Sequence, residues 1–446
     1  MERFKEITGA RPPGQPPELS AGQRGVCLPR FPDSGIRGKA SPWPSSAAPK
    51  RPYTLTATVV VAMNYRVGAF GFGYWAGIGG SDWETSSNLG LQDQVMALRW
   101  VRRNIAAFGG DPENITVAGE SAGAFSVAYL LAAPSAKGLF GKAIMSSGHT
   151  GRIIPTETAD AIARDLLKEL GVATMTELQA VDAERILDAQ FTVVDSDFGA
   201  RNLPGGRVWG AVLDGHVLQE YPQEALAAGR VTDIPLLVGA NRDEAQLFRA
   251  MSGDAFEPAD DDAVLAEMRR AGVPDPAALA AAYRTPGAAS GLELSAGDLR
   301  SKFLSDAVYR RPSVAMAEAQ NAPGGSAWAY LFSACPMGPQ MGAAHAIDMM
   351  YMFDRLSLAG VETAENLAIR DSLARTWSDF ARDGRVGWAP YRAANVDNAR
   401  QFGGDSDAVT EPPSEIAKVW PLVSRAFAQQ VTLRSDSFLV ADQRQS

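Results

Sequence analysis

A serine set between glycines, in the run Gly119-Glu120-Ser121-Ala122-Gly123, is the first place where this 446-residue chain could do covalent chemistry. The run lies between a strand-like Ile115-Thr116-Val117-Ala118 and an apolar stretch, Ala122 to Ala133, that reads as a helix. G-x-S-x-G in a strand-turn-helix setting is the pattern of a strained turn that lifts the hydroxyl clear of a sheet, with small neighbours because larger ones would clash. A serine hydroxyl is a weak nucleophile near neutrality and needs a base, itself oriented by a carboxylate. The chain has three histidines, His149, His216 and His345, so an imidazole base must come from one of them. Glu244 follows a strand predicted at Pro235–Gly239, and His345 follows one predicted at Ala327–Phe332. A lone loop glutamate is ordinarily a solvated charge and a lone histidine a satisfied polar residue. Ser121, Glu244 and His345 taken in that order make the case for acyl transfer through a serine.

The elements that must position these residues are βα units. Thr58–Met63 is a continuous apolar strand, and Lys142–Met145 reads as another. Leu91, Val95, Leu98, Val101 and Ile105 recur at three- and four-residue spacing, which predicts an amphipathic helix ending before Gly109-Gly110. Further helices are expected at Ala159–Leu170, Glu365–Asp383 and Ser414–Gln429. Short apolar strands alternating with helical periods predict an α/β fold around a mostly parallel sheet. Residues 1–52 differ: they hold 10 of the 28 prolines and nine basic against four acidic residues, and they read as a poorly ordered Pro/Gly-rich segment preceding a domain over 53–446.

Composition removes several classes of function. A net charge of −9, with no basic run, argues against nucleic acid. No apolar stretch approaches the roughly 18 residues that span a bilayer. Neither cysteine, Cys27 or Cys335, sits in a CxxC pair, and no two histidines have metal-binding helical spacing, so no metal is expected. The pairing of the two cysteines is not legible. Met1-Glu2-Arg3-Phe4-Lys5-Glu6 is followed by prolines rather than an apolar signal core, so the chain reads as cytoplasmic.

The stretch from Phe108-Gly109-Gly110-Asp111-Pro112 through Gly119-Glu120-Ser121-Ala122-Gly123 resembles the serine signature of type-B carboxylesterases, the cholinesterase-like α/β-hydrolases. The likeness continues through Asn64-Tyr65-Arg66-Val67-Gly68, Asn88 to Gln94, Ser147-Gly148, Asp214-Gly215, Arg242-Asp243-Glu244 and Trp377 to Asp383, about residues 57 to 400. It implies an α/β-hydrolase fold with helical cap insertions and hydrolysis of small-molecule carboxylic esters without a cofactor. It implies Ser121 as nucleophile, Glu244 as acid with Asp243 the runner-up, His345 as base, Ala122 N–H in the oxyanion hole, and Glu120 and Ser126 as buried polar support. Two departures stand out. The family's Gly-rich oxyanion loop should precede the Asn64-Tyr65-Arg66 strand, but no Gly-Gly pair occurs before Gly79-Gly80. Ala346 stands where the family usually has glycine. A truncated, rearranged or frame-shifted start over residues 1–52 would explain the first departure. The two functions that follow are a serine carboxylesterase, impaired in its oxyanion hole, and a catalytically weak or silent relative that uses the fold for binding.

Other features have plainer readings. Gly71-Phe72-Gly73-Tyr74-Trp75-Ala76 fits a dinucleotide pattern, but Gly77, Gly79 and Gly80 leave no good helix after it. Trp75, Trp83 and Trp209 read as packing, His216 as a surface residue and His149 as a loop histidine. Asn114-Ile115-Thr116 is a formal glycosylation sequon within a strand and reads as structural.

Overall fold

The computed structural model describes residues 24–29, 58–197, 200–203, 205–289 and 293–422. Of the segment 1–52, only Arg24–Pro29 belong to that set, and they form a strand rather than loose chain. The rest of that segment lies outside the described residues, as do residues 423–429 of the helix expected over Ser414–Gln429; the helix observed is Ser414–Val419, shorter than expected, with Trp420 leaving the helical conformation and residues 420–422 outside it.

Among the described residues eight strands make one sheet: β1 (Arg24–Pro29), β2 (Thr58–Met63), β3 (Ile115–Glu120), β4 (Lys142–Ser146), β5 (Leu236–Asn241), β6 (Ala327–Phe332), β7 (Ala399–Phe402) and β8 (Ala408–Val409). Their spatial order is β2-β1-β3-β4-β5-β6-β7-β8. Every neighbouring pair is parallel except β7 with β8. Strands buried on both faces carry unbroken apolar runs, which is why the central ones were legible. Their side chains alternate between two cores. Val117, Ala143, Met145, Leu236, Val238, Ala327 and Ala329 enter one, and Ala118, Ile144, Leu237, Trp328, Tyr330 and Phe332 enter the other.

Helices α1 (Leu89–Asn104) and α2 (Ala122–Ala132) cover the first face, α1 presenting Leu91, Val95, Leu98 and Val101 as its spacing predicts. Two long excursions interrupt the sheet. One joins β4 to β5 and includes Thr156–Leu170; the other joins β5 to β6 and includes α3 (Ala245–Ser252), α4 (Ala296–Leu304) and α5 (Arg311–Asn321). Between α4 and α5 the helix widens into a π-helical turn, Ser305–Arg310. Past β6 come α6 (Ile347–Met352) and α7 (Ala364–Asp383), which cover the second face with Tyr351, Leu373, Trp377 and Phe380. Trp75 is buried in a satellite cluster with Ala163, Leu166 and Leu178, against which Trp83 and Trp209 pack. Those three rings are packing, as expected. Among the described residues no helix is long and apolar enough to cross a membrane.

Candidate active site

β3, β4, β5 and β6 are adjacent in the sheet, so their C-terminal ends lie side by side, the place where open α/β sheets assemble functional groups. Ser121 follows β3, Ser147 follows β4, Glu244 stands three residues past β5, and His345 is in the loop after β6.

Ser121 has φ 53° and ψ −119°, a conformation costly for a residue with a side chain. It is fixed on both sides, its N–H donating to Ser146 O at 2.9 Å and its carbonyl accepting from Phe125 N–H at 3.0 Å. The turn is tight enough that a Cβ on Gly119 would come within 2.2 Å of the Gly123 carbonyl carbon, so glycine there is a steric requirement. Ser121 is partly exposed, whereas Glu120 before it is buried. Its Oγ makes no hydrogen bond among the described residues. Ala122 opens α2, and among the described residues nothing accepts from its N–H, as is usual for the first turn of a helix. Ser126 ties that turn, its Oγ donating to Ala122 O at 2.9 Å and accepting from Gln94 Nε2 at 3.0 Å.

His345 and Glu244 are both buried and in contact, Nδ1 to Oε2 at 2.5 Å. The other Glu244 oxygen accepts from Ser147 Oγ at 2.6 Å and from Asn241 N–H at 2.7 Å, and the Glu244 carbonyl accepts from His345 N–H at 3.2 Å. Asp243 is committed elsewhere, to the Arg242 guanidinium at 2.9 Å and to Ala343 N–H at 2.9 Å. Nε2 of the imidazole faces Glu120 Oε1 at 3.2 Å. The imidazole also packs against two aromatic rings, Phe248 from α3 at 5.1 Å and Tyr309 from the π turn at 4.8 Å. That turn also anchors α3, because Ser305 Oγ accepts from Ala245 N–H at 3.0 Å. Ala346, next to the imidazole, has φ 63°, which explains why glycine suits this position.

A third carboxyl, Asp348, is fully buried beneath this group. It accepts from Ser146 Oγ at 2.6 Å and from Asn241 Nδ2 at 3.2 Å. Burial pushes Asp348 up to about 6, against the hydrogen bond from Ser146. Burial likewise drives Glu120 well above the carboxylate range, with the nearby imidazole opposing and Asp348 and Glu244 adding to the rise. For His345 burial acts to lower the pKa, but the carboxylates of Glu120 and Glu244 outweigh it and the imidazole is raised. The Glu120 carboxylate thus favours the protonated imidazole. His149 is buried and stays neutral, since burial first and the Arg152 charge second pull it down to about 3. His216 is surface-exposed, 3.6 Å from Glu84.

The six residues proposed from sequence thus meet at one point of the fold: Ser121 with Ala122 at the turn, Glu120 and Ser126 behind it, and Glu244 on His345. Sequence reasoning missed Ser147, Asn241, Asp348, Phe248 and Tyr309. A strand-end Ser-Gly after β4 and an Asn closing β5 were available signals for the first two. Tyr309 and Phe248 were not legible, because they come from the long excursion after β5. Among the described residues no group of three or more His, Cys, Asp or Glu side chains forms a metal site.

Residues 40–396 match the sequence profile of the Carboxylesterase family. The para-nitrobenzyl esterase of Bacillus subtilis (strain 168) is 36% identical over 356 residues, 75% of this chain and 67% of that protein. The cholinesterase of Mus musculus is 37% identical over 210 residues, 46% of this chain and 34% of that protein. The crystal structure of a carboxylesterase from Geobacillus stearothermophilus superposes with a TM-score of 0.74 at 30% identity, covering 90% of this chain and 83% of that one. A PNB esterase structure gives a TM-score of 0.69 at 29% identity, covering 91% of this chain and 81% of that one. With its mostly parallel helix-flanked sheet, the chain belongs to the type-B carboxylesterase family of α/β-hydrolases, the carboxylic ester hydrolases.

Proposed function

We propose that the chain is a serine carboxylesterase acting on small-molecule esters through an acyl-enzyme. Ser121 Oγ attacks the ester carbonyl, His345 Nε2 takes its proton, and Glu244 holds the imidazole by its Nδ1–H and stabilises the imidazolium. The imidazolium then protonates the departing alcohol. Water enters by the same base and releases the acid. Ala122 N–H, free at the start of α2, supplies an oxyanion donor. Ser147 and Asn241 N–H fix the Glu244 carboxylate. The single observation that carries this reading is Ser121 in a strained turn directly after Glu120, whose carboxyl faces at 3.2 Å an imidazole tied at 2.5 Å to a fully buried carboxylate.

A second reading has one specific feature in its favour. Residues 30–57 carry only Gly35 and Gly38, with no Gly-rich oxyanion loop. Loss of one oxyanion donor costs roughly 2.7–4 kcal/mol, or about 10²–10³ in rate, so a chain lacking the loop could serve as a weakly active or silent binding protein. Turnover of a short-chain 4-nitrophenyl ester beside a Ser121→Ala control separates the two. The esterase reading expects at least about a hundred-fold fall in the variant. It also expects stoichiometric mass-spectrometric labelling of Ser121 by an organophosphonate. Equal rates in both proteins and no label would leave the binding reading.

A further inference from the structure

Arg152 stands at the end of the loop that leaves β4, deep in the molecule but still partly exposed. Among the described residues it has no carboxylate partner. Its guanidinium lies over the Phe125 ring at 5.1 Å and donates to Asn202 Oδ1. Phe125 N–H bonds to Ser121 O, so the ring under Arg152 stands one helical turn from Ser121. The edge of that ring meets His149 at 5.0 Å. The loop is pressed against the same turn: a Cβ on Gly148 would lie 2.4 Å from Ala124 Cβ and 3.0 Å from Ser121 O. Tyr129, whose hydroxyl donates to Arg152 O at 2.6 Å, holds the backbone there. The groups that act on the Arg152 charge are Tyr129 and Tyr309, and Tyr309 is the ring that packs on His345. A second guanidinium, Arg201, is within electrostatic reach of Arg152, but Asp195 and Asp197 act on Arg201 in turn. In the excursion after β5, by contrast, two deeply set arginines have a carboxylate: Arg300 has Glu267 and Arg310 has Glu411. Arg311 lies instead over Trp420 at 3.9 Å.

A half-buried cation without a counter-ion is a ready site for an anion. We propose that Arg152 is the specificity-determining cation of the site and that the preferred substrates are esters carrying a carboxylate remote from the scissile bond, such as half-esters of dicarboxylic acids. The guanidinium fork matches a carboxylate in geometry, and the aromatic floor of Phe125 keeps water from screening the pair. His149, neutral beside it, adds no competing charge.

This inference rests on the esterase reading, and the test separates the two. kcat/KM is measured for mono-4-nitrophenyl adipate against 4-nitrophenyl hexanoate, which places the charge on the acid side. The pair 4-carboxyphenyl hexanoate and phenyl hexanoate places it on the alcohol side. The wild type should favour the charged ester in one pair, and Arg152→Gln should reduce that charged-to-neutral ratio by at least about ten-fold, with Arg152→Lys intermediate. The pair that responds identifies which side of the ester meets Arg152. An unchanged ratio in both pairs overturns the proposal while leaving the esterase reading standing. Calorimetric titration of the wild type and Arg152→Gln with adipate covers a chain without turnover. Binding by the wild type that Arg152→Gln loses supports the anion site even then, and no binding by the wild type overturns it.

Discussion

Glu120 and His345 face each other at 3.2 Å, both buried, and this coupling should be visible in kinetics. Since the Glu120 carboxylate is the largest charge raising the imidazole, the acid limb of kcat/KM should lie above the ordinary imidazole value of about 6.5. Glu120→Gln removes that charge, so the limb should move to lower pH. A pH–rate profile with the limb unmoved would show that Glu120 does not act on His345. His149, far below neutrality, should not appear in either profile. At this scale the sequence was informative wherever residue type and chain order were enough: with three histidines to choose from, Ser, Glu and His in series could be named. It was silent where a role comes from proximity alone. Tyr309 and Phe248 touch the imidazole across 36 and 97 residues, and no local pattern marks either. Asp243 and Glu244 could be told apart before the coordinates only through the family likeness. The contacts explain the difference, since Asp243 is occupied by Arg242 and Ala343.

Among the elements, the loop between β6 and α6 carries a removable strain. Ala346 sits at φ 63°, a left-handed conformation that costs an L-residue about 1 kcal/mol. Ala346→Gly should therefore raise stability by up to about that amount, read as an upward shift in the urea midpoint with an unchanged slope. A destabilised variant would mean that the alanine methyl contributes more by packing than its backbone costs. The central strands were legible because a strand buried on both faces is apolar throughout, and β6 begins and ends where its run does; β2, at the sheet edge and only partly buried, was legible from its β-branched run alone. β1 was not, since Arg24-Gly25-Val26-Cys27-Leu28-Pro29 is short and lies among prolines; only its pairing with both β2 and β3 makes it a strand. β7, Ala399-Arg400-Gln401-Phe402, is half polar and gains its place from its neighbour β6. The π turn at Ser305–Arg310 has no sequence signature, yet it brings Ser305 to α3 and Tyr309 to His345.

At the scale of the whole molecule, stability should depend on pH through the buried acids. Asp348 is raised in the folded chain, so it binds its proton more tightly folded than unfolded. The stability it contributes is present below the unfolded value near 3.8 and is lost as pH rises through about 6. Asp348→Asn abolishes that loss. Its stability relative to the wild type should therefore improve by roughly 2 kcal/mol between pH 4.5 and 7, measured by denaturant unfolding at both. A difference that does not change with pH would place the ionisation of Asp348 outside this window. The fold class was readable from alternating periods, but the convergence of the reactive groups was not, because it depends on strand order. That order has a further consequence. Ser121 and His345 bracket 223 intervening residues, most of them in the two excursions, while the sheet ladder ties β3, β4, β5 and β6 directly to one another. A nick in either excursion would sever the polypeptide without dispersing the reactive groups, whereas no excerpt shorter than that span could carry them at all.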